Sequence, residues 1–571
     1  MHKRPPELIY GVDDEPPFLT NLILGLQHVF LLSVCLIFPV LIVRSVGGTP
    51  QEAEFMVSMS MLAAGIGTML QALNRRGVGS GYLCPSLCGP SYLSASILAA
   101  STGGLPLLFG MTSVAGLFEV LLSRILYRLR SLFPPEVVGV IVTMVGITLI
   151  PVLIPNFFGQ KTGTGDVITE SSDIIVSLIT LVTIFSISVW SKGRMKLYPV
   201  LIGMVVGYAA AAALGLLNAS HIELFREASL VAFPDRSHFS WSLDIALLFP
   251  FAIAATCSTL KTVGDITTCQ KINDIDWKRT DMKNASQGIL ADGLSAIFSG
   301  LVGAMAQSTS SSNVGLSIGT GATSRKIAFA IGGLLVFLAF LPKLAMIFVI
   351  MPGSIMGATL IYSVSFMIVA GFQIITSRML DARRTLVVGI PIIFGISVDI
   401  FPHLYENVPH VIKPVFSSDL AFAAVLVVLI NFISRIGIAK QKRMVLRPGI
   451  DDVDSIFEFM EKQGAAWGAR REVIYKAVSA IYELFESITT SKLSKGDIEV
   501  DVSFDEFNLD VEVRYRGEPP ELPSMRPEEE DLLMDEAAVR RLSGFIVKGY
   551  ANSVKLDRKD DVCRVRLHFD H

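Results

Sequence analysis

FPFAIAATCSTLKTVGDITTCQKI, residues 249–272, and ADGLSAIFSGLVGAMAQSTSSSNVGLSIGTGATSRK, residues 291–326, are apolar enough to belong in lipid, yet each is interrupted where a membrane span is normally uniform. The first carries Lys261 and Asp265 near its middle, and the second breaks at Ser312, Asn313 and Gly315. A charge or an irregular backbone at membrane depth is costly unless it lines a pathway. These two stretches therefore point to a polytopic membrane protein and to the place where a small ligand would sit.

The rest of the composition agrees. Of 571 residues, 51% are hydrophobic and 17% charged, and the mean hydropathy of +0.56 lies well above that of a soluble domain. The net charge of −3 hides an asymmetry, because acidic residues crowd the last part of the chain while the apolar part is biased to basic ones. That shift divides the chain into a polar segment 1–17, a membrane part 18–440, a linker 441–450 and a soluble domain 451–571. Cys35, Cys84, Cys88, Cys257, Cys269 and Cys563 lack zinc spacing and read as small buried hydrophobes. No metal site, cofactor or nucleic-acid partner is expected. Residues 1–17 are Pro-rich and lack the pattern of a signal peptide, so the first apolar run reads as a retained span.

Apolar runs long enough for about 30 Å of hydrocarbon begin near Leu19, Phe55, Leu83, Leu105, Val137, Ile174, Pro199, Phe249, Gly288, Gly315, Ile327, Ser354, Leu386 and Leu420, which gives fourteen spans. Basic residues fall in alternate loops: Arg75 and Arg76; Arg124, Arg128 and Arg130; Lys192, Arg194 and Lys196; Lys271, Lys278, Arg279 and Lys283; Arg325 and Lys326; Arg378, Arg383 and Arg384; Arg435, Lys440, Lys442 and Arg443. The alternation places both termini in the cytoplasm. Fourteen spans make two sevens of opposite orientation, an inverted repeat. The third run, GSGYLCPSLCGPSYLSAS (79–96), and its counterpart, the tenth, SSSNVGLSIGTG (310–321), are both broken by Gly or Pro. Broken segments in corresponding places are a pointer to a transporter's binding site.

Several motifs resemble the nucleobase-ascorbate transporter family, the xanthine and uracil permeases, over about residues 18–440. LGLQHVF carries Gln27 and His28 as the family's QH pair; GSGYLCPSLCGPSYL matches the approach to span 3; LKTVGD, with Gly264 and Asp265, is similar to span 8; ADGLSAIFSGLVG, with Asp292 and Gly293, to span 9. Asn313, Gly315, Thr320 and Gly321 fit the span 10 signature N-x-G-x4-T. The resemblance implies an all-α membrane domain of 7+7 inverted repeats with core and gate parts, commonly dimeric and moving like an elevator in the cell's inner membrane. It implies uptake of nucleobase-like solutes such as xanthine, urate or uracil with a proton or sodium ion, and it places Ser91 and Tyr92 beside the substrate. It implies no enzyme activity.

Two positions depart from the family pattern: Lys261 stands where span 8 usually has Glu, and Ser312 where span 10 usually has Gln or Glu. An ammonium has three donors and no acceptor, so the expectation is a shift toward an anionic or acceptor-rich substrate. Alternatively, Lys261 pairs with Asp265 one turn away and leaves the site neutral. If span 8 began at Leu243, Lys261 would snorkel to the cytoplasmic face; Pro250 and the Gly264–Asp265 match favour the midplane. Asp265 is the candidate ion-coupling group and His28 a second, or else His28 holds two spans together. Asn313 orders the broken backbone, Thr320 and Ser317 serve local backbone, and Asp292 reads as structural.

After Arg447 the long apolar runs stop. Residues 455–460 and 471–488 read as amphipathic helices; DIEVDVSF and LDVEVRYR alternate as half-buried strands; a helix over 536–550 and strands SVKL and CRVRLHF complete an α/β sandwich. The tail resembles the ATP-binding domain of histidine kinases and anti-sigma-factor kinases, but the Glu, Asn and Asp positions fall on Lys476, Ala480 and Tyr515, with Gly517 retained. Magnesium needs hard oxygen ligands, so the tail is expected to bind a cytoplasmic protein partner or to stabilise a homodimer rather than to phosphorylate. A ligand sensor signalling through this tail is the alternative to a transporter. The motif GxxxxGK[ST] is absent, against an ATP-driven pump.

Overall fold

Proline and glycine set where the membrane helices start and stop in the computed structural model. It describes residues 5, 6, 8–75, 77–129, 134–159, 170–191, 195, 198–232, 240–275, 277, 280–376, 380–409, 413–416, 418–434, 441–504, 508–523, 525, 536–559 and 561–571. Of the loop cations, Arg76, Arg130, Lys192, Arg194, Lys196, Lys278, Arg279, Arg378, Arg435 and Lys440 lie outside them. The chain forms two compact units, 1–373 with 389–428, and 374–388 with 429–571.

Helix α1 (Phe18–Leu32) continues through a 3-10 turn into Ile37–Ser45. Helix α2 (Pro50–Ala72) opens on a capping box, with the Thr49 hydroxyl accepting from the Glu52 N–H at 3.2 Å and the Glu52 carboxylate from the Thr49 N–H at 2.7 Å. The broken third run is a strand, β1 (Ser86–Cys88), then a 3-10 turn over Pro90–Tyr92, then helix α3 (Leu93–Leu129). Gly103 and Gly104 kink α3, the latter at φ 73°. Helices α4 (Leu248–Asn273) and α5 (Met282–Val302) follow, α5 ending on Gly303 at φ 88°. The broken tenth run is likewise a strand, β2 (Gln307–Thr309), feeding a short helix, α6 (Ser311–Thr320), before α7 (Arg325–Ala339).

These seven helices pack as one bundle, α5 against α3 and α2, α7 against α2 and α1, and α4 against α3, α5 and α6. Close approach depends on missing side chains. A Cβ on Gly116 of α3 would lie 2.5 Å from the Ile297 nitrogen and 2.7 Å from the Gly293 oxygen of α5. Helices Pro135–Ile147, Ser171–Trp190, Pro199–Ala213, Gly353–Ile375, Ala382–Ile400 and Asp419–Ser434 provide the remaining membrane-type helices. Among these, the Ser177 hydroxyl donates to the Phe157 and Ser354 oxygens at 2.5 and 3.1 Å, and the Thr148 hydroxyl reaches both Asp419 oxygens at 2.9 Å. Ile175, Leu178, Val182, Phe185 and Val189 leave one helix face exposed and apolar, as lipid contact requires.

Among the described residues, eight helices are long and apolar enough to cross a membrane, or nine if Arg325–Ala339 and Pro342–Val349, bent by 84°, count as one. Length and composition therefore do not by themselves return fourteen. The third and tenth runs are strand plus helix, the third and fourth merge across the glycine kink, and Pro199–Ala213 and Asp419–Ser434 are short.

The tail is a five-stranded antiparallel sheet in the order β3 (Gln441–Leu446), β4 (Ile498–Phe504), β5 (Asn508–Arg516), β7 (Val562–Asp570), β6 (Ser553–Lys559), with helices α8 (Val453–Trp467), α9 (Arg471–Thr490) and α10 (Glu536–Tyr550). The segment 441–450, expected to be a linker, instead supplies the edge strand β3, paired from Gln441↔Ser503 to Leu446↔Ile498. Its charged residues hid it, because an edge strand that is mostly exposed shows no alternation. Alternation on β4 buries Ile498, Val500, Val502 and Phe504 in a core shared with Ile474, Ala477, Ile481 and Leu484 of α9. Ala480 and Tyr515 belong to the same core, and Lys476 pairs with Glu472 at 2.6 Å on the exposed side.

The sheet's other face is paved with charge. Arg443 binds Asp501 at 2.7 Å, Arg566 binds Glu512 at 2.8 Å, and the Arg443 hydrogen bond holds the Asp501 pKa below its ordinary value. His568 bonds Asp510 at 2.6 Å, with Asp570 at 3.4 Å from its other ring nitrogen, and the Asp510 bond raises its pKa. A raised histidine value stabilises the fold fully below its unfolded value of about 6.5 and loses that contribution as pH rises through the folded value. Thermal unfolding of the tail is therefore expected to move to lower temperature from mildly acidic to mildly alkaline buffer, with a flatter decline in His568→Gln. An equal decline in that variant would discount the histidine.

Candidate substrate site at the paired broken segments

Strands β1 and β2 join the two broken segments directly. They pair antiparallel, Ser86↔Thr309, Leu87↔Ser308 and Cys88↔Gln307, and backbone bonds extend the pair from Gly89 N to Ala306 O and from Ser310 N to Pro85 O, both 2.9 Å. Because the strands run in opposite directions and each feeds a helix, the N-terminal ends of α3 and α6 flank the pair with their positive partial charges. Ser310 caps α6, accepting from the Asn313 N–H at 3.4 Å, and Gly321 ends it at φ 65°.

Lys261 of α4 reaches this pair. Its ammonium donates to the Thr309 carbonyl of β2 and lies 3.7 Å from Asp265 Oδ2, with the Lys261 side chain 12% exposed. Asp265 Oδ2 also accepts from the Thr309 hydroxyl at 2.6 Å. The Thr262 hydroxyl donates to Asp292 Oδ2 and lies 3.2 Å from the Thr309 hydroxyl, while Gln71 donates to Asp292 Oδ1 at 2.8 Å. Asp292 thus scaffolds one buried network that runs from α2 through α5 and α4 to β2.

His28 Nδ1 sits 2.7 Å from Asn313 Oδ1, and Asn313 Nδ2 donates to Ser310 at 2.8 Å, so α1 fixes the start of α6 through two fully buried side chains. Ser312 and Gly315 are exposed on α6, and a Cβ at Gly315 or at Gly264 would meet nothing within 4 Å. Both positions face open space. Thr320 bonds back to the Leu316 oxygen at 2.9 Å and Ser317 to the Asn313 oxygen at 3.1 Å, both local. Gln27 is buried. Ser91 and Tyr92, expected beside a substrate, are 2% and 0% exposed, and the Tyr92 hydroxyl turns to Glu119 at 2.8 Å.

Two features escaped the sequence reading. Glu119 lies in the apolar run LFEVLL, where a single acid near a span end gives no pattern. The segment before Phe18 straps the end of α6: Ile9 N bonds Gly321 O at 2.7 Å, Thr323 N bonds Tyr10 O at 2.8 Å, and Arg325 and Lys326 pair with Asp13 and Glu15 at 2.6 and 2.9 Å.

Residues 19–404 match the Xan_ur_permease model, described as the Permease family. The chain belongs to this permease family. The putative purine permease CPE0397 of Clostridium perfringens is 31% identical over 426 residues, 74% of this chain and 92% of that one. The xanthine permeases XanP and XanQ of Escherichia coli K12 are 26% and 27% identical over 75% and 79% of this chain and 94% and 98% of theirs. The permease is thus a multi-pass membrane transporter rather than an enzyme, and its sheet domain lies in the part of the chain beyond the family match.

Proposed function

We propose that the permease is a secondary active transporter of nucleobase-like solutes such as xanthine, urate or uracil, driven by a proton or sodium ion gradient. The observation that carries this reading is Lys261 at the strand pair. Of three ammonium donors, one goes to Thr309 and one faces Asp265, which leaves one N–H for a ligand. The exocyclic oxygen of a planar base suits that donor, and a deprotonated oxopurine suits it better than a neutral base. The α6 N-terminus, held in place by Asn313, completes the cradle.

The proposed topology is fourteen spans in two inverted sevens, with the bundle of α1–α7 as the moving core and the remaining helices as gate and dimer surface. Alternating loop charge and the pairing of corresponding broken segments support it. The same alternation supports inner-membrane insertion with both termini cytoplasmic, where the tail would meet a protein partner. Uptake into proteoliposomes of labelled xanthine, urate, uracil and small carboxylates tests the substrate. Accumulation led by oxopurines is expected; preference for neutral uracil that survives Lys261→Glu unchanged would overturn the anionic shift, and accumulation of none would overturn the whole reading.

A further inference from the structure

Glu119 of α3 is fully buried, and Tyr92 donates to its Oε1 at 2.8 Å. Its Oε2 is buried without a hydrogen-bond partner among the described residues, and so is the hydroxyl of Ser258 on α4, which lies beside the same carboxyl. The titratable groups that face Glu119 are Tyr92, from the 3-10 turn, and Asp292, from α5; neither brings a positive charge. A carboxylate only accepts hydrogen bonds, and an unpaired charge buried this deeply is strongly disfavoured. A proton on Oε2 removes that cost; without it, the donors at hand are the neutral hydroxyls of Tyr92 and Ser258.

The neighbouring acids differ. Asp292 has a donor on each oxygen, from Gln71 and Thr262, and Asp265 has the Thr309 hydroxyl and the Lys261 ammonium. Both also lie within the field of the Lys261 ammonium. We propose that Glu119 is the proton-binding carboxyl of the transport cycle: a proton enters from water on one side, resides on Oε2, and leaves to water on the other. Tyr92 connects its state to the site, because the 3-10 turn that carries Tyr92 directly follows β1, whose partner strand holds Lys261 through the Thr309 carbonyl. This rests on the reading of the chain as a secondary transporter, deepens it by naming the coupled ion, and moves the coupling role from Asp265 and His28 to a residue behind the strand pair.

Infrared difference spectra of the purified full chain test the proton directly, whatever the substrate. The carbonyl band of a protonated carboxyl, shifted in heavy water, is expected in the wild type and is expected to disappear in Glu119→Gln, the neutral isostere, with melting temperature retained. In proteoliposomes, Glu119→Gln is expected to lose accumulation of xanthine driven by a pH gradient while still exchanging labelled for unlabelled xanthine, and Tyr92→Phe to weaken that accumulation. A band that persists in Glu119→Gln, pH-driven accumulation that persists in it, or wild-type accumulation driven by sodium alone would overturn the proposal. Failure of the wild type to move any nucleobase would instead count against the proposed substrate, with the infrared band still deciding for or against Glu119.

Discussion

Lys261→Met is expected to abolish saturable xanthine uptake and to lower the melting temperature of the membrane domain. The substitution keeps most of the side chain's volume but removes the ammonium from Asp265 and the donor from the Thr309 carbonyl. Removing one partner of a buried ion pair costs about 3–5 kcal/mol, because the other charge is left uncompensated. About 3 kcal/mol corresponds to a factor of roughly 100 in binding. The double variant Lys261→Met with Asp265→Asn separates two roles. It removes both charges, so thermal stability should recover while uptake stays lost if the ammonium touches the substrate. Recovery of uptake as well would reduce Lys261 to a counter-ion.

Gly116→Val should do comparable damage by a different route. The Cβ it adds falls within 2.7 Å of two backbone atoms of α5, and backbone cannot turn aside as a side chain does. Overpacking of this kind typically costs about 1–3 kcal/mol and sometimes more. Here α3 carries Glu119 and follows directly on the turn that holds Tyr92, and α5 carries Asp292, so a shift of one helix on the other displaces the whole network. The expected result is a protein that yields little monodisperse material in detergent and melts well below the wild type; normal yield and melting would show that α3 and α5 pack less closely than described.

Much of this organisation is written locally. The Pro and Gly breaks at 85–90 and 315–321 announce interrupted segments, and Lys261 and Asp265 one helical turn apart announce an ion pair or a site. In the tail, period-two alternation in IEVDVSF and VCRVRLHFD marks strands because one face is buried and the other charged. Pairing between distant segments leaves no such mark. Nothing in SLC or QST predicts that they lie side by side, and nothing in QKRMVL shows a strand whose exposed edge carries its charges. Glu119 has no local partner at helical spacing; its meaning comes from Tyr92, a residue of the preceding turn, and from α4 and α5. Ser91 and Tyr92 illustrate the reverse, since a motif places them near the ligand but burial turns them inward.

The strand pair has a cost in time as well as in space. Ser86 and Thr309 are 223 positions apart (309 − 86), so the first strand leaves the ribosome long before its mate exists. Until then its N–H and C=O groups have no ladder, and lipid offers none. Long-range pairing is slow and exposes the unfinished chain to misassembly. Biogenesis of this permease should accordingly depend on an insertase or chaperone that shelters residues 85–90, and a ribosome-stalled chain ending before residue 300 should remain bound to that helper.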